Sequence, residues 1–504
     1  MWNRCSASAS SFSEPMLGIL HVLAVAVAGL FTLVVPAVLF AIADGMRDLA
    51  LSMLLVGSLG VFAALMVLGA IAGFQRTLGR ASGYVALVAM WVLVPLCAAV
   101  SFKTLAGLSW MDAWFEAVSA LTTSGATLLS RETAPQAILF WRASIEWYGG
   151  FLTLLSIIHV LAPGGFGGLP AGDRRVITGS ASNMTIDLGD FREVLGQYVL
   201  ITFIVFVGLM LAGVNGPYSA MLSMVVIATG GFLPFEGALE NHAGPMAQLV
   251  LTYGLLLGTV SVFWRRRLLR TPKQFLTGNP EVLVIMVVVL GVAVLYAARL
   301  SAVSGGADLG PIFVESLLAA SSLVATSGIE SRPGVIALWP DLIVLMIVLI
   351  GGGIYSTTGG FKIYRIVAMA VHSARELNQL IYPSSVTNLH FGRQIIEERS
   401  MRAIWTYFSL SLLIVAFGAM ALTFEATDFE GGVTMAIAFF SNAGPVYEAL
   451  IPPAYITSPD NQVWPQFQAM PVSAQITAIV MMTLGRLEVM IVFAVLNVRY
   501  WISR

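Results

Sequence analysis

WMDAWFEAVSALTTSGAT, from Trp110 to Thr127, reads as a piece of amphiphilic helix too short to cross a bilayer, followed by a turn of small residues around Gly125. Three later stretches repeat that order: YSAMLSMVVIATGGF from Tyr218 to Phe232, PIFVESLLAASSLVATSGI from Pro311 to Ile329, and GVTMAIAFFSNAGP from Gly432 to Pro445. Gly125, Gly230, Gly328 and Gly444 fall 105, 98 and 116 residues apart, the length of two spanning helices plus one half-length element. This is the signature of an internal repeat. Backbone that leaves helical form at membrane depth is tolerated only where protein or a water-filled path satisfies its polar groups. Four such turns, each fed by a half-helix, can converge on one axis and offer carbonyl oxygens to a dehydrated cation, with glycine supplying the dihedrals. The competing reading, a surface loop between two helices, serves for any single turn and much less well for four at matched positions.

The rest of the chain fits a membrane setting. Of 504 residues, 58% are hydrophobic and 11% charged, where a soluble domain carries about 25% charged residues. A hydrocarbon core of about 30 Å needs about 20 helical residues. Ten apolar segments are read as spans: Met16–Ala43, Leu49–Phe74, Tyr84–Ala106, Ala137–Ala162, Val194–Val214, Met246–Phe263, Val282–Ala298, the short Leu342–Ile354, Ile404–Leu422 and Ile476–Val498. The first exceeds the core of a cleaved signal peptide and is followed at once by a second, so both are read as retained helices. The expected fold is an all-α polytopic membrane protein, with four helix, re-entrant pore-loop, helix repeats around one pore and two extra N-terminal transmembrane helices. Its divisions are 1–80 for the two leading helices, 81–172 and 173–275 for repeats 1 and 2, 276–398 for repeat 3 with a broken helix, and 399–504 for repeat 4.

Charge placement tests the topology. With the N-terminus cytoplasmic, nineteen of the 26 Lys and Arg lie in cytoplasmic segments and five in outer ones, leaving Arg142 and Arg486 within spans. That bias is the positive-inside rule. Sixteen of the 27 Asp and Glu, among them Asp112, Glu116, Glu315, Glu330 and Glu448, fall on the outer side, where an acidic mouth gathers cations. A net charge of -1 gives no case for nucleic-acid binding. Cys5 and Cys97 offer no disulfide or metal site, and the five histidines show no metal spacing. The run WRRRLLR, Trp264–Arg270, reads as a topology determinant with anionic lipid contact as a second role.

WMDAWFEAVSALTTSGATLL together with ILFWRASIEWYGG, Ile138–Gly150, resembles the Trk/Ktr/HKT potassium-transport superfamily, most closely its TrkH membrane subunits. The likeness continues in order through IATGGF, ATSGI, the segment GGGIYSTTGGFK at Gly351–Lys362, SNAGP, and GRLEV at Gly485–Val489. By that resemblance, filter carbonyls map onto Thr122, Thr123, Ser124 and Gly125, onto Ala228, Thr229 and Gly230, onto Ala325, Thr326, Ser327 and Gly328, and onto Asn442, Ala443 and Gly444. Retention of glycine at the first filter position implies K+ as the transported ion and the only metal, held by these residues alone. Ser124, Ser327 and Ala443 depart from the family pattern and bear on how strongly K+ is preferred over Na+.

The resemblance also implies a gate. Gly351, Gly352, Gly353, Gly359 and Gly360, with Ser356, Thr357 and Thr358 among them, break the eighth span, since Gly costs about 1 kcal/mol per helical position relative to Ala. In the family this segment is an intramembrane loop beneath the filter. GGGIYSTTGGFK fails the phosphate-loop spacing. Arg486, deep in an apolar span, is expensive unless paired or hydrated and maps onto the family's arginine barrier. Glu488 is read as the partner of another cation, and Arg142 with Glu146 as a local salt bridge.

What the resemblance implies overall is potassium uptake across the inner (cytoplasmic) membrane of a bacterium, by a multi-pass homodimer with its filter mouth outward. It also implies peripheral TrkA-type nucleotide-binding regulatory subunits and no covalently bound cofactor. The alternatives are a Na+-selective or Na+/H+-coupled cation transporter of the same fold and, remotely, a membrane-embedded enzyme. The spans offer no nucleophile and base constellation for the last, and the expectation is that the protein is not an enzyme.

Overall fold

The computed structural model describes residues 2–74, 79–161, 188–262, 280–303, 309–383, 390–391, 394–396, 398–425, 427–452 and 464–496. The run Trp264–Arg270 and most of the cytoplasmic segment from Pro163 to Arg192 lie outside them. Among the described residues helix dominates, with one antiparallel pair of two-residue strands, β1 (His390–Phe391) and β2 (Gln394–Ile395). Among the described residues, seven helices are long and apolar enough to cross a membrane, or eight if one sharply bent pair counts as a span.

Helices α1 (Trp2–Thr32), α2 (Val34–Ala43) and α3 (Arg47–Ala70) lead the chain. The first begins well before the hydropathy reading placed it. On α3, Leu51, Leu55, Leu59, Phe62 and Met66 form an exposed stripe at helical spacing, as expected of a face turned to lipid.

Four units follow. Each sets a short helix between two flanking ones: α4 (Arg80–Leu105), α5 (Trp110–Leu121) and α6 (Gln136–Ser156); α7 (Leu188–Leu211), α8 (Gly216–Ile227) and α9 (Pro245–Thr259); α10 (Pro280–Val303), α11 (Leu309–Val324) and α12 (Asp341–Ile350). The last unit consists of α14 (Glu398–Glu425), α15 (Phe429–Phe440) and α17 (Val472–Arg486). Between units three and four runs α13 (Ile363–Ile381); α16 (Gly444–Leu450) follows the fourth turn, and α18 (Val489–Leu496) closes the described chain. The second flanking helix of each unit packs on the short helix of the next: α6 on α8, α9 on α11, α12 on α15, and α17 back on α5. The order is cyclic, which brings the ends of all four short helices to one centre.

Local chemistry sets the ends of the short helices. Ser109 caps α5 by accepting from Asp112 N at 3.1 Å, and Asp428 caps α15 by accepting from Gly431 N at 2.8 Å. Three of the ten anticipated spans are shorter or broken. The sixth, α9, stops at Thr259, where Val260 is extended and the Val262 N–H donates to Tyr355 O instead. The eighth, α12, has only 10 residues and stops at Gly351, whose φ of 67° is left-handed. The tenth is split: α17 and α18 meet at 102° across Leu487 and Glu488, with Glu488 at a φ of 37°.

Candidate functional site: four turns over a glycine loop

All four short helices end in the same motif. In the first, Thr122 N donates to Val118 O, Thr123 N to Ala120 O and Ser124 N to Ser119 O, at 2.8, 3.0 and 2.9 Å. The sets on Ala228, Thr229 and Gly230, on Ala325, Thr326 and Ser327, and on Ser441, Asn442 and Ala443 repeat these spacings. This is a helix-ending Schellman pattern, which calls for a left-handed residue. Glycine normally takes that place, yet here it is Thr123, Thr229, Thr326 and Asn442, with φ of 59°, 56°, 57° and 53°. A β-branched residue at positive φ is a real outlier and costs about 1–2 kcal/mol. Three of them at equivalent places mean that the side chain is worth the strain.

Alignment on this motif corrects the register read from sequence. The residue after the left-handed one is Ser124, Gly230, Ser327 or Ala443, and the glycine after that is Gly125, Gly231, Gly328 or Gly444. Gly231, rather than Gly230, is the counterpart of the other three, and Ser441 is the counterpart of Thr122, Ala228 and Ala325. Sequence reading passed over both Gly231 and Ser441; counting forward from the helix-ending hydrophobic run, Ile227 and Phe440, would have found them.

The turns touch in a closed ring. A Cβ on Gly125 would lie 2.7 Å from Gly231 Cα, one on Gly231 would lie 2.1 Å from Ser327 O, and one on Gly328 would lie 2.8 Å from Val446 N. Gly444 completes the circuit by donating its N–H to Ser124 O at 2.7 Å. The Ser327 hydroxyl donates to Gly230 O. Two carbonyls expected to face a cation, those of Ser124 and Gly230, therefore also tie neighbouring turns together.

The loop from Gly351 to Lys362 lies against turns 2, 3 and 4, at Thr229, Thr326 and Ser441. Its neck is closed by Phe361 N to Leu349 O and Lys362 N to Ile350 O, both 2.7 Å. Thr229 Oγ1 donates to Thr357 Oγ1 at 3.2 Å, and Gly359 N donates to Thr326 Oγ1 at 2.8 Å. A Cβ on Gly359 would collide with Ser441 O. Arg486 supplies the fourth contact, donating to Thr123 Oγ1 at 2.9 Å and to the Thr357 carbonyl. The strained threonines thus have work to do: their hydroxyls hold the loop and Arg486. Both side-chain amide atoms of buried Asn442 are without hydrogen-bond partners.

The loop's far side is strapped as well. Ile354 N donates to Glu281 Oε1 at 2.7 Å, Gly353 N to Thr259 O at 3.1 Å, and the Ser356 hydroxyl to Gly353 O at 2.6 Å. Gly351, Gly352, Gly353, Thr358 and Gly360 lie in the same buried loop, and Lys362 Nζ donates back to Thr358 O. The break after Arg486 lets that side chain point toward the ring while Glu488, two residues on, pairs with Arg365, whose guanidinium stacks 4.0 Å from the Tyr407 ring centre. Glu488 is therefore the partner of a separate cation, as anticipated.

Two acids and one arginine differ from the sequence reading. Glu116, grouped with the outer mouth, is wholly buried, and Glu315 is buried and bonded to Arg332 by two contacts of 2.8 and 2.9 Å. Arg142 does pair with Glu146, but it also binds Glu116, so the local salt bridge is part of a larger cluster. The sequence separation of 26 residues between Glu116 and Arg142 hid that contact.

Comparison with known proteins follows the same lines. A family model described as TrkH, cation transport protein, matches residues 281–445. The Trk system potassium uptake protein TrkH of Escherichia coli (strain K12) is 26% identical over 442 residues, covering 83% of this chain and 86% of its own. Its namesake in Vibrio parahaemolyticus is 26% identical over 464 residues, covering 88% and 91%. The crystal structure of the potassium transporter TrkH from Vibrio parahaemolyticus superposes with a TM-score of 0.84 over 96% of this chain and 99% of that one, at 22% identity, which establishes a shared fold. The resemblance to the Trk/Ktr/HKT superfamily and its TrkH membrane subunits holds.

Proposed function

Proceeding from that likeness along most of the chain, we propose that the protein is a pathway for K+ uptake across the cytoplasmic membrane. The observation that carries the reading is the closed ring of four turns of matched backbone, which one glycine loop meets at Thr229, Thr326 and Ser441 and Arg486 meets at Thr123. A dehydrated K+ is held by backbone carbonyls of Thr122, Thr123, Ser124 and Gly125 in turn 1, by those of Ala228, Thr229, Gly230 and Gly231 in turn 2, and by their counterparts in turns 3 and 4. The inward-negative membrane potential supplies the drive, about 2.3 kcal/mol per charge per 100 mV.

In this reading the loop and Arg486 form the barrier. The loop blocks the path below the ring, and the Arg486 charge, held by Thr123 and Thr357, repels a cation that has left the carbonyls. Opening requires the loop to leave Thr229, Thr326 and Ser441 together. The repeats run 81–172, 173–275, 276–398 and 399–504 after two leading helices in 1–80, with the N-terminus cytoplasmic and the ring open outward. A homodimer served by peripheral TrkA-type nucleotide-binding subunits completes the proposal. Purified protein in liposomes tests it: potential-driven Rb+ uptake, competed by K+ far better than by Na+, is expected, and absence of uptake would overturn the reading. Equal competition by Na+ would count against K+ selectivity, and stronger competition by Na+ than by K+ would favour the Na+-selective alternative.

A further inference from the structure

Behind turns 1 and 2, α6 carries Arg142 and Glu146 one helical turn apart and α5 carries Glu116, and all three are 0% exposed. Arg142 sits between the carboxylates: its Nε donates to Glu116 Oε1 at 3.0 Å and its Nη1 to Glu146 Oε2. The remaining Nη2 donates to Ala126 O at 3.1 Å, and the guanidinium carbon lies 4.3 Å from the Phe232 ring centre. Glu116 is fully engaged, accepting also from Thr127 Oγ1 at 2.9 Å and Leu128 N at 2.6 Å. Glu146 is not. Its Oε1 is buried without a hydrogen-bond partner and lies against Gly230, where an added Cβ would stand 1.4 Å from it.

We propose that Glu146 sets the cation affinity of the ring by presenting the cluster's surplus negative charge to turn 2 from behind. One guanidinium between two carboxylates leaves a single negative charge in a buried place, where it is costly unless countered. The inference rests on the pathway reading above, because a K+ held by the turns is the counter-charge. It also explains an anomaly. Turns 1, 3 and 4 carry Ser124, Ser327 and Ala443 where turn 2 carries Gly230, and the missing side chain is the space the Glu146 carboxylate fills. Because the interaction is Coulombic and poorly screened in a dry surrounding, it acts alike on any monovalent cation. Glu146 therefore governs how tightly cations are held, while the carbonyl geometry governs which one is preferred.

The test compares wild type, Glu146→Gln, Glu146→Asp and Glu116→Gln in liposomes, reading flux against Rb+ and Na+ concentration. Glu146→Gln keeps size and loses charge: half-saturating concentrations of Rb+ and Na+ are expected to rise together by about tenfold, with their ratio kept. Glu146→Asp keeps the charge and is expected to stay within about threefold of wild type. Glu116→Gln removes the same charge from the other side of Arg142 and is expected to shift both ions in the same direction. Thermal unfolding in detergent against K+ concentration reads the same affinity without flux, with Glu146→Gln needing about tenfold more K+ for an equal rise in Tm. Unchanged half-saturation for both ions in Glu146→Gln would overturn the proposal, and so would a shift for one ion alone that alters the Rb+ to Na+ ratio, which marks a mere steric prop. A wild type that moves no Rb+ and gains no stability from K+ would bring down the pathway reading and this inference with it. If wild type does both and Glu146→Gln matches it, only this inference falls.

Discussion

The ring and the loop beneath it are both built from glycine and hydroxyl residues, yet they are held in opposite ways. Each turn of the ring is fixed by three backbone hydrogen bonds to its own helix and by backbone packed so closely against the next turn that a single methyl group has no room. The loop crosses the same centre on a handful of single bonds, meeting turns 2 and 3 through the hydroxyls of Thr229 and Thr326, between two ends clamped at Leu349 and Ile350. A site that must tell one cation from another needs fixed distances, whereas a barrier needs contacts weak enough to break together. Residues of the same kinds serve both because the difference lies in what they bond to.

The largest expected effect comes from spoiling the fixed half. In Gly231→Ala the new methyl meets Ser327 O, a backbone atom that cannot step aside, and Rb+ flux should fall by about a hundredfold in protein that still purifies as a folded species. Gly125→Ser meets Gly231 Cα at a φ of 81° and should lower the preference for K+ over Na+; unchanged ion selectivity would refute the assignment of Gly125 to the ring. Next in size is the charge beneath. Arg486→Ala should raise Rb+ flux about tenfold, and a folded variant that transports as wild type would return Arg486 to a structural role.

Smaller effects probe the movable half. Thr326→Val deletes the hydroxyl that accepts from Gly359 N; losing one net hydrogen bond, about 1 kcal/mol, should favour loop opening and raise flux about fivefold. Glu281→Gln keeps an acceptor for Ile354 N but drops the charge, so an increase of only about twofold is expected. If either of these exceeded the effect of Arg486→Ala, the loop and not the arginine would be the main barrier.

Much of this was legible in the residues because it is local. Helices, the four turns and the break at Gly351 all follow from runs of apolar residues interrupted by glycine. What escaped depends on partners distant in sequence. Gly230 looks like a ring glycine until Glu146, 84 positions earlier, is found in the space its side chain would need. Glu116 looks like a loop carboxylate by hydropathy, yet it folds inward because Arg142, Thr127 and Leu128 satisfy it there. The left-handed threonines could not be foreseen from propensity, which argues against them; their hydroxyl contacts to the loop and to Arg486 explain their cost.

Selection of K+ by the four turns is open to one decisive measurement, the reversal potential of purified protein in a planar bilayer with K+ on one side and an equal concentration of Na+ on the other. A reversal potential shifted strongly toward the K+ equilibrium value, and reduced in Gly125→Ser, is the predicted result; a value near zero for the unaltered protein would contradict it.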